Sequence, residues 1–378
     1  MQILKTAIAG MGFIGKQHAE AVKRVPNVVI TAVSDPNPSV RSWCEENGIS
    51  HYYADYGEML EKEEIDVLHN CSPNHLHYEI NKAAIERGCH IYSEKPLTLK
   101  ASQARELMEL AQKKKVRSAV NFNYRGNVMA HEMKGRMQEG QLGRLSHIQA
   151  EYLQDWLLYD TDFDWRIRKE TGGDSRATGD IGSHCFDMLQ FITGKKIASV
   201  YARYFTLYEE RRQYEGKGTF SEGRKEGDAK LVPVETEDAA SILFKLEDGM
   251  PGILNISQVC AGKKNGMKII ISGNKESVEW EQERPDRLLI GRRDSGNELL
   301  YADRKYLTEY AKKNAALPNG HPTGWTDALS NSLTDFYHSV RNPQSPYRYA
   351  DFVQGYEVAK IVEACYESNI KNCWIDIE

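Results

Sequence analysis

Short apolar runs alternate with amphipathic stretches through the first third of the chain. Residues 3–9 (ILKTAIA), 28–33 (VVITAV) and 65–71 (IDVLHNC) predict buried strands. Residues 90–96 (HIYSEKP) predict a strand running into a loop, and 118–123 (SAVNFN) a last strand. Between them, HAEAVKRV, RSWCEENG, HYEINKAAIERG and ASQARELMELAQKKK carry helical spacing, two of them stopped by Gly48 and Gly88. Strands alternating with helices of this length predict a parallel, doubly wound sheet.

The pattern changes near residue 126. MAHEMKGRMQEG predicts a linking helix. After it come many strand-like runs: SHIQAEYL, SVYARYF, AASILFKL, GILNISQV, MKIIIS, SVEWE and RLLIG. Short turns such as Asp248-Gly249 and Gly273-Asn274 suit antiparallel hairpins. One helix, DIGSHCFDMLQFITG, interrupts them, and helices return at 325–341 and 350–368. Residues 209–230 are charged and Gly-rich and predict a long mobile loop, with a catalytic lid as the rarer alternative. Two domains are expected, 1–125 and 126–378, with the C-terminal helices able to pack back on the first.

Composition narrows the function classes. A chain of 378 residues, 40% hydrophobic and 27% charged, reads as soluble and two-domain. A net charge of -5 argues against a nucleic-acid binder that relies on a strong basic field. The opening MQILKTAIAG does not resemble a signal peptide, and no apolar run approaches a membrane span. Seven cysteines without a C-x-x-C pair suit reduced thiols in the cytoplasm. His75 and His77 lack ligand partners nearby, so no metal is expected.

Gly10-Met11-Gly12-Phe13-Ile14-Gly15 follows the first strand and opens a helix. In that context G-x-G-x-x-G reads as a dinucleotide loop: Gly10 for the turn, Gly12 for pyrophosphate approach, Gly15 for strand–helix packing. Asp35 closes the second strand, where a carboxylate accepts from the adenosine ribose of NAD; a turn former before Pro36 is the alternative. Lys95 lies in a loop beyond a strand, where it can donate to a substrate hydroxyl or simply be solvated. If residues 180–194 are α-helical, Asp180 and His184 share a face, which sets a carboxylate against an imidazole suited to act as a base. Alternatively, Asp180 caps the helix and His184 sits in the core.

Taken in order, the A-G-x-G-x-x-G loop, Ser72-Pro73-Asn74-His75, Glu94-Lys95-Pro96 and G-D-I-G-S-H-x-x-D resemble the Gfo/Idh/MocA oxidoreductases. The resemblance spans nearly the whole chain. It implies an α/β fold: an N-terminal Rossmann domain, then an α/β domain with a large open-faced, mostly antiparallel sheet. It implies NAD rather than NADP, held by Gly10, Gly12, Phe13, Ile14, Gly15, Asp35, Ser72, Pro73, Asn74, His77, Glu94 and Lys95. It further implies His184 as acid/base, Asp180 as its partner and Lys95 orienting the reacting hydroxyl. Tyr124, Arg125, Trp165, Arg166 and His321 are implied to face the substrate, a sugar, cyclitol or glycoside. A homodimer or homotetramer through the sheet is implied as well. Two other activities stay open: NAD-dependent glycoside cleavage through transient oxidation, and a non-catalytic NAD-binding regulator.

Overall fold

The computed structural model describes residues 3–214 and 229–378. The backbone divides into two compact units, Met1–Asn127 with Thr323–Ala359, and Val128–Pro322 with Lys360–Glu378. The first unit begins with β1 (Leu4–Ala9), α1 (Phe13–Val22), β2 (Val28–Ser34), α2 (Val40–Glu46), β3 (His51–Tyr53) and α3 (Tyr56–Lys62). It continues with β4 (Val67–Asn70), α4 (His77–Glu86), β5 (His90–Ser93), α5 (Ala101–Lys114) and β6 (Ser118–Val120). All six strands are parallel, in the order β3-β2-β1-β4-β5-β6. That is a Rossmann order, and it places the loops after β1, β4 and β5 at one edge of the sheet. The central strands β4 and β5 are buried on both faces along nearly their whole length, polar residues included. The pattern missed β3 and α3. A three-residue edge strand, HYY, is too short to display a period, and its residues are half-buried or exposed.

The second unit opens with α6 (Val128–Gln138), β7 (Leu145–Leu153) and the short α7 (Lys169–Gly172). A π-helical turn (Thr178–Gly182) then runs directly into α8 (Ser183–Thr193). The strands that follow are β8 (Ile197–Phe205), β9 (Glu210–Gln213), β10 (Lys230–Pro233), β11 (Ala239–Leu246) and β12 (Pro251–Ser257). The series ends with β13 (Gly266–Gly273), β14 (Ser277–Glu281), β15 (Arg287–Gly291), β16 (Glu298–Tyr301) and the short α9 (Glu309–Lys312). Nine strands form one sheet, mostly antiparallel; β12 and β7 run parallel. Period-two alternation puts Ile148, Ile242, Phe244, Ile269 and Trp280 on the buried face, while the opposite face carries Tyr201, Arg203, Leu243, Asn255 and Leu289. SVYARYF and GILNISQV therefore expose a mixed row, not a purely apolar one.

Residues 209–230 are not all loop. β9 and β10 pair antiparallel as a separate ribbon. A buried arginine fastens it: Arg211 donates to the carbonyls of Tyr159 and Asp162 and to Asp238 Oδ1 at 2.9 Å. Charge density suggested a mobile loop, but here a carboxylate and two carbonyls take the two terminal nitrogens of the cation. The centre of the predicted loop or lid, 215–228, lies outside the described residues.

After α9 the chain returns to the first unit with α10 (Trp325–Arg341), then enters α11 (Phe352–Lys371) and β17 (Ile375–Asp376). α10 buries Leu333, Phe336 and Tyr337 in one core with Val22, Val67 and Tyr92. Close approach there requires Gly126, because a Cβ would stand 1.9 Å from the Ala328 carbonyl oxygen. Among the described residues no helix is long and apolar enough to cross a membrane.

Candidate active site

The glycine loop sorts its own residues. Gly10 has φ +91°, and a Cβ there would meet the Cys71 carbonyl oxygen at 2.5 Å. A Cβ on Gly15 would stand 2.1 Å from the carbonyl oxygen of Gly10. Packing within the protein therefore demands both. At Gly12, the N-cap of α1, a Cβ would meet nothing within 4 Å. That open space in front of a helix N-terminus fits a pyrophosphate. Phe13 beside it is largely exposed, and Ile14 packs into the core below.

Asp35 combines its two expected roles. Its carboxylate accepts from the Asn37 N–H at 2.8 Å, forming the turn, and from the Met11 N–H of the glycine loop at 2.6 Å. A carboxylate has about four acceptor sites. Two bonds thus leave capacity for the ribose hydroxyls of NAD.

The loops after β4 and β5 carry the next group. Ser72 Oγ donates to Asn70 Oδ1 at 2.6 Å, and the buried Asn74 starts a short turn after Pro73. His77 lies with one ring nitrogen 2.7 Å from the Pro96 carbonyl and the other 2.9 Å from the Ser72 carbonyl. It ties the two loops together and turns neither nitrogen toward a ligand. Burial pushes its pKa down, against the two carbonyl contacts. Glu94 is likewise turned inward. Its carboxylate accepts from Asn121 Nδ2 at 2.5 Å and the Lys95 N–H at 3.1 Å, and His18 Nε2 lies 3.1 Å away. Burial would raise its pKa, but the His18 hydrogen bond and charge, with Asn121, hold it well below the ordinary carboxylate range. Lys95 follows, half-buried. Tyr124 and Arg125 lie buried in a turn, Asn123–Gly126, of the same unit.

In the second unit the α-helix expected from 180 to 194 is interrupted. Asp180 sits in the wider π turn, and His184 sits in the first turn of α8. Such turns are frequent at functional positions because they re-aim one side chain without ending the helix. Gln258 Nε2 donates to Asp180 Oδ2 at 3.0 Å, and Arg166 Nε stands 3.7 Å from Asp180 Oδ1. Asp164 holds the same guanidinium at 3.2 Å, and Arg166 stacks over Trp165 at 4.2 Å. His184 is buried, with its ring 6.4 Å from that of Tyr152. Asp180, Arg166, Trp165 and His184 thus gather in one unit. His321 does not show the same engagement: it is exposed, with Nδ1 3.0 Å from the Pro318 carbonyl.

Sequence reasoning missed Gln258, Asp164 and Tyr152. Gln258 left a trace: it continues the buried row Gly252, Leu254, Ile256 just past β12, where a polar residue needs a partner. Asp164 left none. Among the described residues no cluster of three or more His, Cys, Asp or Glu could hold a metal ion.

Residues 4–122 match the family model described as an oxidoreductase family with an NAD-binding Rossmann fold. Residues 130–279 match the model of the GFO/IDH/MocA C-terminal domain. Levoglucosan dehydrogenase of Pseudarthrobacter phenanthrenivorans is 28% identical, over 100% of this chain and 99% of its own. Myo-inositol 2-dehydrogenase of Thermotoga maritima is 25% identical, over 68% of this chain and 69% of its own. The solved structure of a levoglucosan dehydrogenase with NADH and L-sorbose superimposes with TM-score 0.89 at 27% identity, covering 100% of both chains.

Proposed function

Because the chain belongs to the Gfo/Idh/MocA oxidoreductase family, we propose that it is an NAD-dependent dehydrogenase of secondary alcohols in sugars, cyclitols or glycosides. The observation that carries this reading is Asp180, a carboxylate held by Gln258 and Arg166 within one helical turn of a buried imidazole. His184 takes the hydroxyl proton as general base, and Asp180 orients it. Lys95 donates to the same oxygen and favours its ionised form. Bound NAD supplies the hydride acceptor. Trp165 covers a C–H face of the ring, while Tyr124, Arg125, Arg166 and His321 take hydroxyls. Relatives named for levoglucosan and myo-inositol support a polyhydroxylated substrate.

The test is NADH formation across monosaccharides, cyclitols and glycosides, levoglucosan, L-sorbose and myo-inositol among them, with product analysis. Absorbance should rise with at least one polyol. Cleavage without accumulating NADH would replace this reading with glycoside cleavage, and silence across the panel would remove it. His184→Ala should lower turnover by about 100-fold or more with NADH binding unchanged. Near-normal turnover in the folded variant would exclude His184 as the base.

The exposed row of the nine-stranded sheet is the surface for a homodimer or homotetramer, and light scattering should give a multiple of the 43.0 kDa chain mass. A monomer at micromolar concentration would overturn that assignment. Seven free cysteines, five of them buried, suit a reducing cytoplasm.

A further inference from the structure

Behind the Lys95 loop runs a continuous chain of buried polar groups that the reaction does not use directly. His18 Nδ1 lies 2.9 Å from His69 Nδ1. His69 Nε2 lies 2.8 Å from the Tyr337 hydroxyl, which lies 2.8 Å from Thr6 Oγ1. At the other end His18 Nε2 meets Glu94, whose second oxygen accepts from the Lys95 N–H. Thr6, His18, His69 and Tyr337 are 0% exposed. They come from β1, α1, β4 and α10, all in one unit.

Hydrogen-bond arithmetic allows this chain two states. Facing Nδ1 atoms need one proton between them. In the first state Thr6 donates to Tyr337, Tyr337 to His69, His69 to a neutral His18, and His18 Nε2–H to the Glu94 carboxylate. In the second, His18 is an imidazolium. It still donates to Glu94, but His69, Tyr337 and Thr6 now each accept from the neighbour on the Glu94 side. The states differ by one proton, and in both His18 donates to Glu94. Burial drives His69 toward its neutral form in either state. Tyr92, packed on both imidazoles, and Cys71 are also driven toward neutrality by burial. Lys95 and Arg341 are the cations whose charge acts on the two ends.

We propose that His18, braced by His69 and Tyr337, is a positioning residue for Lys95. It keeps the buried Glu94 carboxylate ionised and fixed on the Lys95 backbone, so that the Lys95 cation keeps its countercharge. This rests on the role given to Lys95 above. Without the His18 donor, burial dominates Glu94 and its pKa rises, so its charge is lost as pH falls.

The experiment pairs infrared titration with kinetics on wild type, His18→Phe, His18→Gln and Tyr337→Phe. Gln retains a donor for Glu94; Tyr337→Phe removes only one oxygen. In His18→Phe a protonated-carboxyl band should appear between about pH 6 and pH 4. It should be absent from wild type and from His18→Phe combined with Glu94→Gln. Beyond the acidic limb that protonation of the base itself imposes, the pH profile of kcat for alcohol oxidation should gain a second one between about pH 6 and pH 4, with turnover at its foot down about tenfold relative to wild type and NADH Kd within about threefold. His18→Gln should restore most of the rate, and Tyr337→Phe should move in the direction of His18→Phe by less. A structural role alone would lower the rate equally at every pH. A profile parallel to wild type overturns the positioning role, and no carboxyl band in His18→Phe overturns the electrostatic one. If His18→Phe does not fold, Tyr337→Phe decides by the same profile. If wild type oxidises no alcohol, the function reading fails while the infrared titration still decides the charge of Glu94.

Discussion

Asp35 bonds the glycine loop and its own turn. We propose that its remaining acceptor capacity sets cofactor choice by taking the ribose hydroxyls of NAD, one of which carries a phosphate in NADP. A 2′-phosphate there meets a like charge and loses a hydrogen bond. Wild type should favour NAD over NADP by roughly 100-fold in kcat/KM. Asp35→Ser should relax that ratio and also weaken NAD, because the Met11 bond is lost. Arg41 stacks on Tyr52 at 5.3 Å, and the Tyr52 hydroxyl donates to the Asp35 carbonyl, so a cation already stands by this loop. Equal efficiencies in wild type would mean that the carboxylate serves only the turn and the glycine loop.

At the junction of β1 and α1, two equally small residues should respond differently to substitution. β1 passes into α1 through Gly10, Gly12 and Gly15, and only Gly12 borders open space. Gly15→Ala forces a Cβ onto backbone that has no rotamer to yield, which should cost about 1–3 kcal/mol and lower the melting temperature. Gly12→Ala should leave the melt nearly unchanged yet weaken NADH by about tenfold or more, since the added methyl fills the space left for the pyrophosphate. Paired melts and NADH fluorescence titrations check this. Unchanged NADH affinity in Gly12→Ala would place the phosphates elsewhere. The π turn before α8 teaches a related lesson: periodicity placed Asp180 and His184 on one α-helical face, but one widened turn sets how that carboxylate is presented.

The first unit as a whole should be acid-sensitive. Burial pushes His69 and His90 below the ordinary 6.5. An imidazole kept neutral in the fold protonates more readily once unfolded. Its contribution to stability is therefore complete above the unfolded pKa and is lost as pH falls toward the folded one. The melting temperature should drop from neutral pH to about pH 5, and His90→Gln, whose amide oxygen can still accept the Arg117 N–H, should flatten the slope. A wild-type melting temperature constant across that window would contradict the buried, neutral imidazoles.

Strand and helix periods, the glycine loop and the ordered motifs were legible in the chain itself, because period-two and period-3.6 burial leaves a local trace. So were Gly10, Gly12, Gly15, Asp35, Lys95, Asp180 and His184 as a candidate set. Tertiary structure alone decided where side chains turn. It sent Glu94 and His77 inward, joined His18, His69 and Tyr337 across 331 positions from Thr6 to Tyr337, and gave Asp180 its Gln258. It also made a ribbon of β9 and β10 by pairing them and burying Arg211. Such contacts join residues far apart in sequence, and a buried polar group is defined by its partner rather than by its neighbours in the chain.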